Sequence, residues 1–399
     1  NGPARDIRLE SVTGIAIDAV GNLYISEGGY SGRHIIYRID TWGNAHIIAG
    51  RGFRGFSGDG GPATEAYLDD PSGLTRDTKG NLYFADRGNN RIRKIDTSGM
   101  ITTVAGGDQE GFAGDGGPAA EALLNRPNSP HFDAAGNLYF ADVDNNRIRK
   151  VDTNGIITTV AGNGENGIGG DNGPAVEAQL IIQGFFADRA GNFYISQGGN
   201  HNSIRKVDTA GIIRRIAGAP GTNRGWGGDG GPAIEAQLDY PTAMVTDQCG
   251  NLFIGDGNPS NTGPPRIRKI DSSGIITTVS GPGLEATGLD GSAATRAEIY
   301  PVTDLALDGA GLLYIGTNTR WWGSRVRIVG PPAALSSRLA EDDFAFADPN
   351  GQGYIMSRTG RHKKTVDLAT ATVLKEFDYD TNNLLVSITD QFHNQTRIM

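Results

Sequence analysis

The sequence predicts an all-β protein: a six-bladed β-propeller over residues 1–330, followed by a β-rich segment over residues 331–399. Three observations carry this. First, Gly-Asn-Leu-Tyr stands at 21–24, 80–83 and 136–139, with GNFY at 191–194, GNLF at 250–253 and GLLY at 311–314. Self-similarity repeated at so long a period marks a repeat architecture. Second, each unit holds four short strand-like runs and no sustained 3.6-residue periodicity. Third, glycine makes up 60 of 399 residues, about twice the usual share. Without low complexity, that glycine reads as many tight turns between short strands. Four antiparallel strands per unit, repeated six times, make a propeller.

The unit at 71–106 shows the elements in order. PSGLTRD is a strand ending in Asp77, and Asp77-Thr78-Lys79-Gly80 is a turn with glycine where a positive φ is wanted. NLYFAD is the second strand and GNN turns the chain. RIRKID is the third strand, and Asp96-Thr97-Ser98-Gly99 repeats the turn. MITTVAG is the fourth. Each run is rich in β-branched or aromatic residues and is bounded by Gly, Asn or Asp, as half-buried strands are. The first unit lacks a preceding TTVAG run and the sixth lacks its own after Val329. An upstream strand or a substitute from 333–346 is expected to complete the last blade, because an open strand edge invites aggregation.

Between units lies Gly-Asp-Gly-Gly-Pro-Ala, at 58–63, 114–119 and 228–233, with GDNGPA at 170–175. The opening Asn-Gly-Pro-Ala reads as a start inside a further copy, so the lack of a leader at this end carries no weight. The motif reads as punctuation between blades rather than a phosphate or metal loop. Pro62 suits the first position of a short helix. The residue ahead of each copy (Phe56, Phe112, Ile168, Trp226) is expected to plug the linker onto the core.

Composition excludes several functions. A formal net charge of −9 speaks against general affinity for nucleic acid or an anionic membrane. No run of 18 apolar residues is present to span a membrane. Cys249 is the one cysteine, so neither an internal disulfide framework nor a thiolate metal cluster exists.

Motifs with a chemical look resolve into structural ones. Gly162-x-Gly164-x-x-Gly167 fits a dinucleotide fingerprint, but no helix or βαβ unit follows it. Asp142-Val143-Asp144-Asn145-Asn146 opens like a calcium loop, yet Arg147 and Thr153 stand where glycine and glutamate are needed. The six histidines, His34, His46, His131, His201, His362 and His393, show no metal-ligand spacing. His131 falls on an innermost strand, aligned with Ala16, Thr75, Phe186, Val245 and Ala306, and reads as packed or channel-lining. No GxSxG elbow or Cys–His pair is present. The aspartates at the turns, Asp18, Asp77, Asp133, Asp188, Asp247 and Asp308, are expected to bond their own backbone. The basic runs Arg91-Ile92-Arg93-Lys94, Arg147–Lys150 and Arg266–Lys269 are read as cross-strand partners of Asp86, Asp142 and Asp256 rather than a polyanion site. No metal or cofactor is expected.

Units of the form P-x-G-x-x-x-D-x-x-G-N-L-Y-x-A-D-x-x-N-N-R-I-R-K-I-D resemble NHL repeats. The fourth unit departs from the pattern, with Gln183 at the proline and Ser196 at the Asp of ADxxNN. The sixth departs further, with Trp321-Trp322. After 331 the pattern stops. Tyr379-Asp380, Leu385, Ser387-Ile388-Thr389-Asp390, Asn394 and Thr396 resemble a YD repeat of RHS proteins, with Asn383 and His393 where that family usually has glycine. An NHL propeller leading into YD repeats resembles teneurins and bacterial teneurin-like RHS proteins. The resemblance implies a propeller at the mouth of a YD-repeat shell, of which 331–399 would be the start, in a secreted or cell-surface protein.

Two functions follow as expectations. The first is a non-catalytic interaction or scaffold module that engages a protein or glycan partner on the propeller face and caps its own YD shell. The alternative is a propeller-type lyase or hydrolase with its site at the central channel, which needs polar groups from three or more blades to converge on the axis. Departures from the repeat frame are the better candidates for recognition. They concentrate in the loops between second and third strands: GGYSGRH, GGNHN, GDGNPSNTGPP and TNTRWWGS. Tyr30, His34, His201, Trp321 and Trp322 are therefore the candidate binding residues. Adjacent tryptophans on a strand point to opposite faces, so one of the pair can join the core. An exposed one would form an aromatic patch with Tyr30 and His34, and the alternative is that both indoles pack against the C-terminal segment or a shell.

Overall fold

A computed structural model of the chain describes residues 2–199, 201–219, 224–257, 264–281, 294, 299–318 and 324–329. It further describes the strands within 343–347, 352–357, 362–367, 373–379, 385–390 and 395–397. Six sheets follow one another as blades, each a sequential antiparallel meander from an innermost to an outermost strand. Blade 2 is Pro71–Arg76, Leu82–Asp86, Arg91–Ile95 and Ile101–Ala105. Blade 3 repeats it with Pro127–Phe132, Leu138–Asp142, Arg147–Val151 and Ile157–Ala161. Blades 4 and 5 also have four strands, and three strands of blade 6 are described, ending at Arg325–Val329.

The turns form as their aspartates dictate. Asp77 Oδ1 accepts the amides of Lys79 and Asn81, and Oδ2 accepts from Asn81 Nδ2 and Tyr83 Oη. Gly80 sits at φ +88°, a conformation that costs a Cβ-bearing residue dearly. Where strands one and two separate at the axis, blades 1, 2, 3 and 6 carry a β-bulge. Gly73 is the bulge residue of blade 2, at φ +51°, and a Cβ there would lie 2.7 Å from Ser129 of blade 3. Innermost strands thus crowd at backbone distance. Blade 4 has no register shift at this point. Its register sets Gln197 opposite Ser203, as Asp86 is opposite Arg91, so Gln197 and not Ser196 replaces the aspartate.

The larger cores lie between neighbouring blades. Ala16, Tyr24, Ile36 and Ala49 of blade 1 pack with Leu74, Phe84, Ile95 and Ile101 of blade 2, and Ala63, Ala66 and Leu68 of the linker fill the gap. Those three linker residues are the plug, not the aromatic ahead of GDGGPA. Ala63–Glu65 is a single 3-10 turn with Pro62 just outside it as its cap. The linker's Pro62 also pairs with Met100, and Ile101 exchanges hydrogen bonds with Gly60 and Gly61. Each linker thereby covers the exposed edge of the blade that follows it, which is how sheet proteins protect an edge. Gly2–Pro3 does the same on Asn44–Ala45 of blade 1.

The ring closes between blades 6 and 1. Val12, Ile15 and Ile25 pack with Ala306, Tyr314 and Val326. Leu9 bridges Ser324, Asn318 Oδ1 accepts the Val12 amide, and Asp304 Oδ2 accepts the Ile15 amide at 2.8 Å. Of the segment 333–346 expected to supply a substitute strand, residues 333–342 lie outside the described residues, and Asp343–Ala347 pairs with Gln352–Ser357. It opens a six-stranded meander that runs to Gln395–Arg397.

Candidate functional site

The repeat frame accounts for most charged groups. Arg93 is fully buried, and its guanidinium donates to Asp86 at 3.1 Å and to Asp59 of the linker at 2.7 Å. It also donates to the Ser57 carbonyl at 2.9 Å. Arg149 does the same with Asp142 and Asp115, and Arg268 with Asp256 and Asp229. Arg205 of blade 4, facing Gln197 rather than an acid, holds Asp171 at 2.8 Å and the carbonyls of Gln179 and Gly169. The aspartate of each GDGG thus locks a linker to a buried arginine. Burial pushes the Asp86 carboxyl up to about 6 and that of Asp256 to about 7. The residue ahead of the motif covers this cluster from outside: Phe56 lies 3.7 Å from the Arg91 guanidinium and 4.9 Å from that of Arg93. Phe112 covers Arg147 and Arg149 in the same way, and Trp226 lies 5.0 Å from Arg266. Blade 4 has Ser203 at the outer arginine position, and Ile168 stands at the sequence position of Phe56.

At the axis, the titratable residues on the described innermost strands are Arg76, His131 and Asp304. Arg76 is bound to Asp18 at 3.1 Å and to the Gly80 carbonyl. His131 lies edge-on to Phe186 at 4.9 Å, and burial holds its imidazole down at about 4. Asp304 accepts the amides of Ile15 and Leu305, and burial raises its carboxyl to about 7. Among the described residues no three His, Cys, Asp or Glu side chains come together as metal ligands. The calcium-like Asp142 is engaged by Arg149 and by the Asn125 amide.

The candidate binding residues separate. Tyr30, 97% exposed, stands at the tip of the loop between the second and third strands of blade 1, with the Arg54 guanidinium 5.7 Å from its ring. His34 is buried beneath it at φ +51°. Its Nδ1 accepts the Asp70 amide at 3.0 Å, and its Nε2 lies 3.2 Å from Arg54 Nε. Burial lowers its imidazole below the ordinary value. The position is a frame position: Asn90 Oδ1 accepts the Arg126 amide and Asn202 Oδ1 the Tyr240 amide in the same way. His34 therefore joins the loop to the linker rather than facing a partner. His201 is exposed and precedes Asn202, so it aligns with Arg33 and not with His34. Arg224 donates to the Gly199 carbonyl as Arg54 does to that of Gly29, so blades 1 and 4 share one loop design. Trp321 and Trp322 lie outside the described residues.

Sequence reasoning missed three residues. Val20, Trp42 and Phe53 are 76%, 65% and 70% exposed, and with Tyr30 they are the most exposed large apolar side chains described. All four lie in blade 1 or the linker that leaves it. Val20 stands where other blades have Lys79, Ala135, Ala190, Cys249 and Ala310; Trp42 stands where they have Ser98, Asn154, Ala210 and Ser273. The signal was the same departure from the frame, in turns that had been read as purely structural.

Comparison with known proteins fits this geometry. The Teneurin NHL domain family matches residues 44–113 and 107–168. Mouse Teneurin-3 is 27% identical over 432 aligned positions, covering 100% of this chain and 15% of its own length. Human Teneurin-4 is 25% identical over the same share of both chains. The chain thus spans about 15% of the length of the curated relatives it matches. A structural genomics protein of unknown function from Bacteroides thetaiotaomicron superposes with a TM-score of 0.55 at 19% identity, over 81% of this chain and 70% of its own. An auxiliary nutrient binding protein from the same organism gives 0.55 at 14% identity, over 82% and 71%. These two likenesses show the fold alone. The six blades form an NHL-type propeller that is similar in sequence to teneurins.

Proposed function

We propose that the chain is a non-catalytic interaction and scaffold propeller of a large secreted or cell-surface protein. Residues 1–330 form the recognition unit, and 331–399 begin a YD-repeat shell that the propeller caps. The observation that carries this reading is the concentration of exposed apolar groups on blade 1. Tyr30 and Phe53 emerge on the face of the linkers, and Val20 and Trp42 on the opposite face. Exposed aromatics beside a guanidinium, as at Tyr30 and Arg54, are typical anchors for a protein partner, and an aromatic ring also stacks on the C–H face of a sugar. The titratable groups at the axis are engaged by turns and by neighbouring strands, which favours surface recognition over channel chemistry. His201 extends the linker face on blade 4.

The test is a binding screen of the 399-residue chain against purified ectodomains and a glycan array. It is repeated with Tyr30→Ser/Phe53→Ser and with Val20→Ser/Trp42→Ser. Loss of a partner in one double variant, at unchanged melting temperature, is expected. Partners that bind both variants as well as the parent would overturn the reading.

A further inference from the structure

The outer side of blade 1 carries a groove of about 360 Å³, lined by Arg33, Ile35, Tyr37, Ile47, Arg51 and Phe53. The register explains it. Tyr37 is opposite Ile25 as Arg93 is opposite Phe84, Ile35 takes the place of Arg91, and Ile47 that of Thr103. On blade 2 this place is filled by the incoming linker. Phe56 lies over the two guanidinium groups, and Asp59 bonds both Arg93 and Thr103 Oγ1. Phe112 and Asp115 fill it on blade 3, and Trp226 and Asp229 on blade 5, where Asp229 accepts the Thr278 amide. Blade 1 has exchanged the whole receiving set for apolar groups, with Arg33 donating to Tyr37 Oη at the rim.

We propose that this groove seats an extended peptide that does for blade 1 what the linkers do for blades 2–5. It would be supplied by the polypeptide just before Asn1 in the whole protein, with an apolar side chain where those linkers carry aspartate. Two features of blade 1 argue for that occupant. Gly2–Pro3 already lies antiparallel on Asn44–Ala45, as Pro62 lies on Met100, so a strand continued from Gly2 in that register would pass Ile47. At the three receiving positions Ile35, Tyr37 and Ile47 suit an apolar side chain, since no arginine occupies the Arg93 position of this blade, and Arg33 and Arg51 stand elsewhere in the lining.

The experiment extends the 399-residue chain at its N-terminus with Gly-Phe-Ser-Gly-Leu, which follows the order of residues 55–59 with leucine for Asp59, Asn1 taking the place of Gly60. Controls carry a Gly-Ser extension of equal length, the same peptide with aspartate, and the natural preceding residues. The leucine extension is expected to raise the melting temperature by roughly 2–4 °C over the Gly-Ser control. The aspartate version should gain less. Ile47→Asp should cancel the gain, which is read as the difference between the extended and unextended chains when both carry the substitution. Slower hydrogen exchange at residues 46–48 should accompany the rise. Equal melting of the leucine and Gly-Ser chains, or a gain that survives Ile47→Asp, would overturn the proposal. A gain from the designed peptide but none from the natural residues would overturn the source and point to a separate partner chain. None of these outcomes depends on partner capture by Tyr30 or Trp42.

Discussion

Blade 1 and blades 2 and 3 share strand order, turn chemistry and inter-blade packing, yet they handle charge in opposite ways. Blades 2 and 3 bury an arginine between two aspartates and roof it with phenylalanine. Blade 1 keeps an acid at the same strand end, Glu27, which accepts the Glu10 amide, but sets Tyr37 where the arginine would be. Burial raises the Glu27 carboxyl as it raises those of Asp86 and Asp142. The regular blades spend their outer surface on locking linkers, whereas blade 1 leaves apolar groups exposed. Function is therefore sought where the frame is relaxed.

The largest expected effect tests the arginine cluster. Arg149→Ala leaves Asp142 buried without its cation and should cost about 3–5 kcal/mol in chemical denaturation. Arg205→Ala, in the blade where Gln197 replaces the acid, should cost clearly less, because no second carboxylate is orphaned beneath it. Tyr37→Phe in blade 1 removes one hydrogen-bonding hydroxyl and should cost about 1 kcal/mol. Equal losses at Arg149 and Arg205 would show that the guanidinium's carbonyl contacts, and not the paired acids, set the energetics.

Where the frame is shared, the blades should respond alike. Gly136 and Gly21 close the same Asp-x-x-Gly turn at φ +86° and +99°. Valine at either position should cost about 1–3 kcal/mol. A blade 1 turn that tolerates Gly21→Val while blade 3 does not would mean that the relaxation of blade 1 extends into its backbone.

A smaller effect is read from pH. Asp304 and Asp256 have folded-state values near 7 and Asp86 near 6, against an ordinary 3.8. A carboxyl whose value is raised on folding binds more protons in the native state. Its contribution is thus greatest below the ordinary value and is lost as pH rises through the folded one. Stability should fall between about pH 4 and 7, each group contributing a slope of at most about 1.4 kcal/mol per pH unit. Asp304→Asn should flatten part of that slope. An unchanged profile in Asp304→Asn would mean that the two amide donors keep this carboxylate ionised throughout.

Much of this was legible in the sequence, for physical reasons. Asp77-x-x-Gly80 and its copies announce themselves because the chemistry of a turn is local. Cross-strand pairing of Arg93 with Asp86 followed from strand order, since the two lie on neighbouring strands of one blade. Asp59, the second partner, lies 34 residues from Arg93 and reaches it only through the path of the linker, which no periodicity encodes. Phe56 looked like a core plug because hydrophobicity alone cannot separate an apolar pocket from the flat face of a guanidinium. His34 looked like a partner-binding residue because nothing local shows that it occupies the position of Asn90. The register that puts Gln197, not Ser196, in the acid's place depends on the ladder between two strands.

The smallest effect discriminates best between the two kinds of blade, and two tryptophans supply it. Trp42 stands 65% exposed in a turn of blade 1 with its amide bound to Asp40 Oδ1, so its indole carries no part of the turn. Trp226 covers the Arg266 guanidinium in the linker that enters blade 5. Trp226→Ser removes a cation–π contact and should cost about 0.5–1 kcal/mol, with further loss from uncovered surface. Trp42→Ser should change stability by less than about 0.5 kcal/mol, as substitutions at uninvolved surface positions do. An apolar group that contributes nothing to folding, at a position where the other described blades carry serine, asparagine or alanine, is the expected mark of a residue kept for contact with something else. Should Trp42→Ser destabilise the chain as much as Trp226→Ser, the indole packs within its own protein, and the partner-facing character of that face of blade 1 falls with it.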